Sequence, residues 1–289
     1  MAEKEVDAVS GTETTGHEWD GIKELNTPLP RWWLWTFYAS CAWALVYCIL
    51  YPAWPLVTSA TSGVLGYSSR AEVAVEIATA KAAQSENLDR INSLSLSDIR
   101  SDTSLATFAI AGGKSAFAVN CSQCHGAGAA GSPGYPNLND DVWLWGGTLD
   151  DIYTTIAHGI RFDEDDDTRV SDMPAFGKDQ ILEAAVISDI VEHVLSVSAQ
   201  EHDAAAAARG AEPFAENCAS CHGDNGQGIR ELGGPALNDA LWHYGGDRTA
   251  IMTQINNPKH GVMPAWAHRL DDVTIKQLAL YVHALGGGE

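Results

Sequence analysis

Cys121-Ser122-Gln123-Cys124-His125 and Cys218-Ala219-Ser220-Cys221-His222 decide how this chain is read. Each pentapeptide is followed at a similar distance by a Met-Pro-Ala-aromatic string, Met173-Pro174-Ala175-Phe176 or Met263-Pro264-Ala265-Trp266. Cys-x-x-Cys-His is the attachment signature of c-type haem. On a helix, positions i, i+3 and i+4 share one face, so two thiols and one imidazole converge on the same ring. A Met opposite the His raises the reduction potential and leaves no open iron position. The Pro after each Met favours an extended backbone at the Met, which suits a loop laid over a ring face. Only Met1 and Met252 complete the set of four methionines. A zinc half-site would need a second Cys pair close by, and a thioredoxin-like pair does not require His next in line. The expected cofactors are therefore two covalently bound haems c. Cys121, Cys124, Cys218 and Cys221 hold the rings, and His125, Met173, His222 and Met263 are the iron ligands. No residue is assigned a catalytic role.

The two haem segments are internal repeats. Phe117, Asn120 and Cys121 match Phe214, Asn217 and Cys218. Leu138-Asn139-Asp140-Asp141-Val142-Trp143-Leu144-Trp145-Gly146-Gly147 matches Leu237-Asn238-Asp239-Ala240-Leu241-Trp242-His243-Tyr244-Gly245-Gly246. Each repeat closes on a helical run, 181–197 and 273–285. A few helices wrapped around a haem is the cytochrome c plan, in which the ring supplies core that so small a domain lacks. His158, His243 and His260 read as surface or loop histidines. Repeat one carries an insertion, Arg161-Phe162-Asp163-Glu164-Asp165-Asp166-Asp167-Thr168-Arg169. It reads as a solvated loop, with a docking patch as the functional alternative. The Gly and terminal Glu of an EF-hand loop are missing.

No charged residue occurs from Trp32 to Ser69. The apolar run Trp32 to Tyr51 has the length of one bilayer-spanning helix. Trp32, Trp33 and Trp35 at one end, and Tyr47, Tyr51 and Trp54 at the other, form interfacial aromatic belts. Pro52 and Pro55 end the helix. The leading segment is acidic and no small-residue cleavage site follows directly, so the run reads as an anchor and not as a removed signal. Cys41 and Cys48 within it have no neighbouring His and read as packing residues. Lys4, Lys23 and Arg31 precede the span, and the next base is Arg70, which favours a cytoplasmic N-terminus. Covalent haem attachment on the outer side of the bacterial inner membrane agrees with that orientation.

The expected architecture is all-α: one N-terminal transmembrane helix followed by two tandem cytochrome c domains. Its divisions are a cytoplasmic segment 1–31, an anchor 32–57, a partly helical linker 58–107, and domains 108–200 and 201–289; within the linker, the Ala-rich helical stretch Arg70 to Arg100 reads as resting on a partner. The formal net charge is -21. Residues 108–200 carry 14 acids and 4 bases, and residues 201–289 carry 11 and 6, so the first repeat is the more acidic. Nucleic acid is excluded as a partner on this balance. A basic redox protein would be attracted.

Strings outside the haem motifs carry a family resemblance. These are His17-Glu18-Trp19-Asp20-Gly21-Ile22-Lys23-Glu24-Leu25-Asn26, Pro28-Leu29-Pro30-Arg31-Trp32-Trp33-Leu34-Trp35, Tyr51-Pro52-Ala53-Trp54-Pro55 and Gly63-Val64-Leu65-Gly66-Tyr67-Ser68-Ser69-Arg70. With His260-Gly261-Val262-Met263-Pro264-Ala265-Trp266 they closely resemble the membrane-anchored dihaem subunit III of cbb3-type cytochrome c oxidase, in its single-span form. The resemblance implies a complex that reduces oxygen to water and moves protons. It implies as partners a catalytic haem–copper subunit, a monohaem cytochrome subunit and a donor cytochrome c, at the bacterial inner membrane with periplasmic haem domains. It carries the ligand pairs over in chain order, His125 with Met173 and His222 with Met263; a crossed arrangement is the alternative. Other functional classes are a free-standing anchored dihaem cytochrome, the cytochrome subunit of a periplasmic dehydrogenase, and a dihaem peroxidase. Two intact Met-Pro-Ala strings speak against the last.

Overall fold

A computed structural model describes residues 5–289. It divides into two compact units, the first ending at Ala83 and the second running Gln84–Glu289.

The first unit opens with an antiparallel hairpin, β1 (Thr14–Trp19) and β2 (Ile22–Leu25), with Glu18 opposite Lys23 and Trp19 opposite Ile22. Asp20 and Gly21 form the turn with φ of 50° and 84°. Two successive residues at positive φ match the twist of a two-residue hairpin, and Asp-Gly accepts that geometry. This strand pair is a small addition to the expected all-α plan. Helix α1 follows as Arg31–Leu50, shifted by one residue at each end from the apolar run read above. Twenty residues at 1.5 Å each span about 30 Å, the thickness of a bilayer core. Among the described residues it is the one helix long and apolar enough to cross a membrane. None of its residues is buried. Its far end is closed by the chain itself, because Val64 N donates to Ile49 O and Leu65 N to Leu50 O, at 2.9 and 3.1 Å. Those carbonyls have no partner inside the helix.

Helix α2 (Ser69–Ser93) runs through the division between the units. In the second unit follow α3 (Leu96–Ser101), α4 (Thr103–Asn120), α5 (Ser122–His125), α6 (Leu149–His158), α7 (Ala184–Val197), α8 (Ala204–Asn217), α9 (Ala219–His222), α10 (Arg248–Asn256) and α11 (Asp272–His283). Asp102, Thr148, Asp203, Asp247 and Asp271 cap α4, α6, α8, α10 and α11 by accepting backbone N–H groups of the first turn.

Packing does not follow chain order. The last helix of repeat one, α7, packs on α8 and α10 of repeat two, while α11 packs on α4 and α6 of repeat one. Helices of each repeat thus pack on helices of the other. Two apolar cores result. One gathers Leu105, Phe117, Ile152, Ile156, Ile275 and Leu278; the other gathers Phe176, Ile187, Ile190, Phe214, Ile251 and Ile255. The end of the supposed linker belongs to the first core, where Ile91 and Ile99 are fully buried. That stretch therefore rests on this chain itself.

Candidate haem sites

Each attachment motif sits where a long helix breaks into a short one. Cys121 and Cys218 are the C-cap residues of α4 and α8, and His125 and His222 end α5 and α9. The N–H groups of His125 and His222 donate to the carbonyls of Cys121 and Cys218, both at 3.0 Å, which keeps each motif in one helical turn. Gly126 and Gly223 then turn the chain away at φ of 81° and 78°.

The imidazoles are held alike. His125 Nδ1 lies 3.2 Å from Pro136 O, and His222 Nδ1 lies 2.9 Å from Pro235 O. A carbonyl can only accept, so Nδ1 carries the proton and Nε2 keeps its lone pair for a metal. Such a partner on the other ring nitrogen also fixes ligand orientation. Burial lowers the pKa of both imidazoles, opposed by those same carbonyls, and so favours the neutral ring. Burial, with the adjoining thiol, pushes Cys121 and Cys218 up to about 11.

All eight sequence-predicted residues line a single cavity of about 660 Å³. Met252 packs in the second core and does not line it. Four thiols, two oriented imidazoles and two thioethers around one apolar void are the donor set that two c-type haems require. Trp143 and Trp242 wall the cavity. A Cβ at Gly147 or Gly246 would strike the indole of Trp143 or Trp242, which accounts for the repeated Gly-Gly strings.

The methionines do not sit as chain order suggests. Met263 packs in the core with Phe117 and Cys121, and Met173 in the core with Phe214 and Cys218. The physical cause is backbone bonding between the repeats. Trp266 N and Ala267 N donate to Ile156 O and Ala157 O at the end of α6, each at 3.1 Å. Lys178 N donates to Asn256 O at the end of α10, at 2.9 Å. Cys121 thus shares a core with Met263 and Cys218 with Met173, which favours the crossed arrangement given above as the alternative.

Two histidines read above as surface or loop residues also line the cavity. His243 and His260 are on its wall, and burial, followed by the nearness of His125 and Arg161, lowers the His243 pKa. The signal was an ionisable residue at the position where repeat one has Leu144. His158 instead faces the acidic insertion. Its Nδ1 is 3.1 Å from Asp165 Oδ1, while His268 Nε2 is 3.2 Å from Asp165 Oδ2. Asp165 is thus folded inward with its side chain only 7% exposed.

Comparison with known proteins identifies the family. Residues 11–58 match the N-terminal domain of cytochrome oxidase-cbb3, FixP. Residues 108–194 and 205–282 match the family Cytochrome C oxidase, cbb3-type, subunit III. The chain is 56% identical over 286 residues to the cbb3-type cytochrome c oxidase subunit FixP of Rhizobium meliloti, covering 99% of this chain and 98% of that protein. It is 54% identical over 296 residues to subunit CcoP of Azospirillum brasilense, with both chains fully covered. With CcoP of Cereibacter sphaeroides it shares 51% identity over 276 residues, 96% of this chain and 95% of the relative. Two tandem c-type segments imply two covalently bound haems. An anchored helix, two haem motifs and full-length similarity converge: the chain belongs to the subunit III family of cbb3-type cytochrome c oxidases.

Proposed function

We propose that the chain is the membrane-anchored electron relay of a cbb3-type oxidase, taking electrons from a donor cytochrome c and passing them towards the haem–copper subunit that reduces oxygen. It performs no substrate chemistry of its own. The observation that carries the reading is the cavity lined by both Cys-x-x-Cys-His motifs and both methionines.

When bound, the two haems supply reversible one-electron iron chemistry. Cys121 and Cys124 would hold one, with His125 and Met263 as its iron ligands. Cys218 and Cys221 would hold the other, with His222 and Met173. Each oriented Nε2 would offer its lone pair to an iron, and each thioether would fill a further position and so keep small molecules off the metal. Trp143, Trp242 and the two apolar cores keep water out and favour the less charged, reduced state. A single cavity brings both sites within reach of one electron path.

Helix α1 is the tether and an assembly element. We assign it to the bacterial inner membrane, with the N-terminus cytoplasmic and the haem sites periplasmic. The bases before the span and their absence up to Arg70 support that orientation. Small residues Cys41, Ala42, Ala44 and Cys48 permit close approach of a partner helix.

Purification of the full chain in mild detergent tests the reading. Oxidase subunits with haem b and copper should accompany it. The isolated chain should accept electrons yet neither reduce oxygen nor bind carbon monoxide. Recovery of a stable dihaem chain alone would point to a free-standing cytochrome. Carbon monoxide binding by the reduced chain would point to an enzyme.

A further inference from the structure

The two methionine loops meet at one side chain. Arg161 Nε donates to Gly261 O at 2.9 Å, and Arg161 Nη1 donates to Ser171 O at 2.7 Å. Gly261 lies two residues before Met263, and Ser171 two residues before Met173. The guanidinium is only 22% exposed and lines the cavity. Its position is over-determined. The Arg161 backbone takes φ of 51°, a conformation that costs energy for any residue with a Cβ. It is held there because Arg161 N donates to Arg169 O at 2.9 Å and Arg169 N to Gly159 O at 3.3 Å. Asp172 Oδ1 lies 3.8 Å from Arg161 Nε and 3.8 Å from His260 Nδ1, which places a carboxylate beside the fork. Repeat two has no insertion and so no counterpart of Arg161.

We infer that Arg161 is a positioning residue shared by both axial loops, setting the resting places of Met173 and Met263 together. The inference rests on these two thioethers being the sixth iron ligands. A planar guanidinium presents donors at fixed angles and can hold two carbonyls at once. A Lys ammonium keeps the charge, yet as a compact head on a flexible stem it does not reproduce that fork. One residue thereby couples the two iron sites: freeing one loop loosens an anchor of the other.

The test uses the full chain with both haems attached. Ferric wild type, Arg161→Lys and Arg161→Gln are mixed with imidazole, and displacement of each Met is followed by loss of the far-red band of Met-ligated haem. Met173→Ala and Met263→Ala backgrounds isolate the two bands. Displacement should accelerate about tenfold at both haems in both Arg161 variants, the factor expected for losing one charge-assisted hydrogen bond to each loop. Arg161→Lys behaving as wild type would reduce the role to charge alone and overturn the inference. So would acceleration at one haem only, or at neither. Absence of the far-red band from the unsubstituted protein would instead overturn the ligand assignment, and the inference with it.

Discussion

Ile160 and Met263 exchange backbone hydrogen bonds, Ile160 N to Met263 O at 2.9 Å and Met263 N to Ile160 O at 3.0 Å. Ile160 closes the first repeat's α6 segment, and Met263 belongs to the second repeat. A reciprocal pair of this kind fixes register on both strands of the contact. It holds the second repeat's Met over the core that contains Cys121.

Crossed ligation predicts which lesions coincide. Removing His125 disables one iron site. In that background Met263→Ala should leave the far-red band of the other haem intact, because both lesions fall on the same iron. Met173→Ala in the same background should abolish the band. In-order ligation predicts the reverse, so absorption spectra of the two double variants decide. The logic holds whether or not haem remains attached at Cys121 and Cys124.

Close helix crossings fasten the exchanged segments. A Cβ at Gly113 in α4 would meet Gln277 O and Tyr281 Cβ of α11, and one at Gly210 in α8 would meet Asp189 O of α7. Gly113 and Gly210 each lie eight residues before the first haem Cys of their repeat. Ala is the better helix former by about 1 kcal/mol, so without these contacts either Gly→Ala change would stabilise. With them, backbone must move, and each change should cost about 1–3 kcal/mol net. Denaturant unfolding of the two variants measures this; a gain in stability would contradict the crossings.

Glu192 of α7 ties three elements across the repeats. It accepts from Arg248 Nε at 2.5 Å and Arg248 Nη2 at 2.9 Å at the start of α10, and from Asp203 N at 2.7 Å at the cap of α8. The Arg248 guanidinium, against the opposing effect of burial and with help from the Asp203 N–H, holds the Glu192 carboxyl down to about 2. A carboxylate with a lowered folded-state pKa adds stability above its unfolded value and loses it as pH falls through the folded one. Glu192→Gln should therefore lose roughly 2 kcal/mol at pH 7, from charged hydrogen bonds. The gap to wild type should close between pH 4.5 and about 2. A gap that stays constant across that range would show that the charge is not involved.

Local features were readable because local chemistry decides them. The haem turns follow from helical spacing, and α1 from an uncharged run with aromatic ends. The hairpin was also signalled, by Asp20-Gly21 between Trp19 and Ile22, but polar composition around it masked the alternation. The crossing was not readable. α7 and α11 are both amphipathic helices that follow a Met-Pro-Ala string, and either could face either Cys helix. The choice lies in pairings between distant residues, such as Ile160 with Met263 and Glu192 with Arg248. Chain order contains no trace of these.

The acidic insertion offers the last prediction, and the fold refines which charges matter. Asp165 is turned inward onto His158 and His268, so it belongs to the loop's architecture. Asp163, Glu164, Asp166 and Asp167 remain exposed. His268 follows Met263 on the loop packed with Cys121, so these four charges flank the first haem site. At physiological ionic strength screening acts over about 8 Å, and only charges near a contact steer an approaching protein. Replacing the four by Asn and Gln, with Asp165 kept, should lower the on-rate of a basic donor cytochrome and flatten its salt dependence. Haem content, far-red bands and reduction by a small neutral donor should not change. Replacing Asp165 alone by Asn should do the converse, loosening the loop while leaving the salt slope close to that of wild type. Stopped-flow reduction across a salt series separates these outcomes. Equal rates and slopes in wild type and the four-site variant would mean that the donor docks elsewhere and that the loop's charges serve solvation alone.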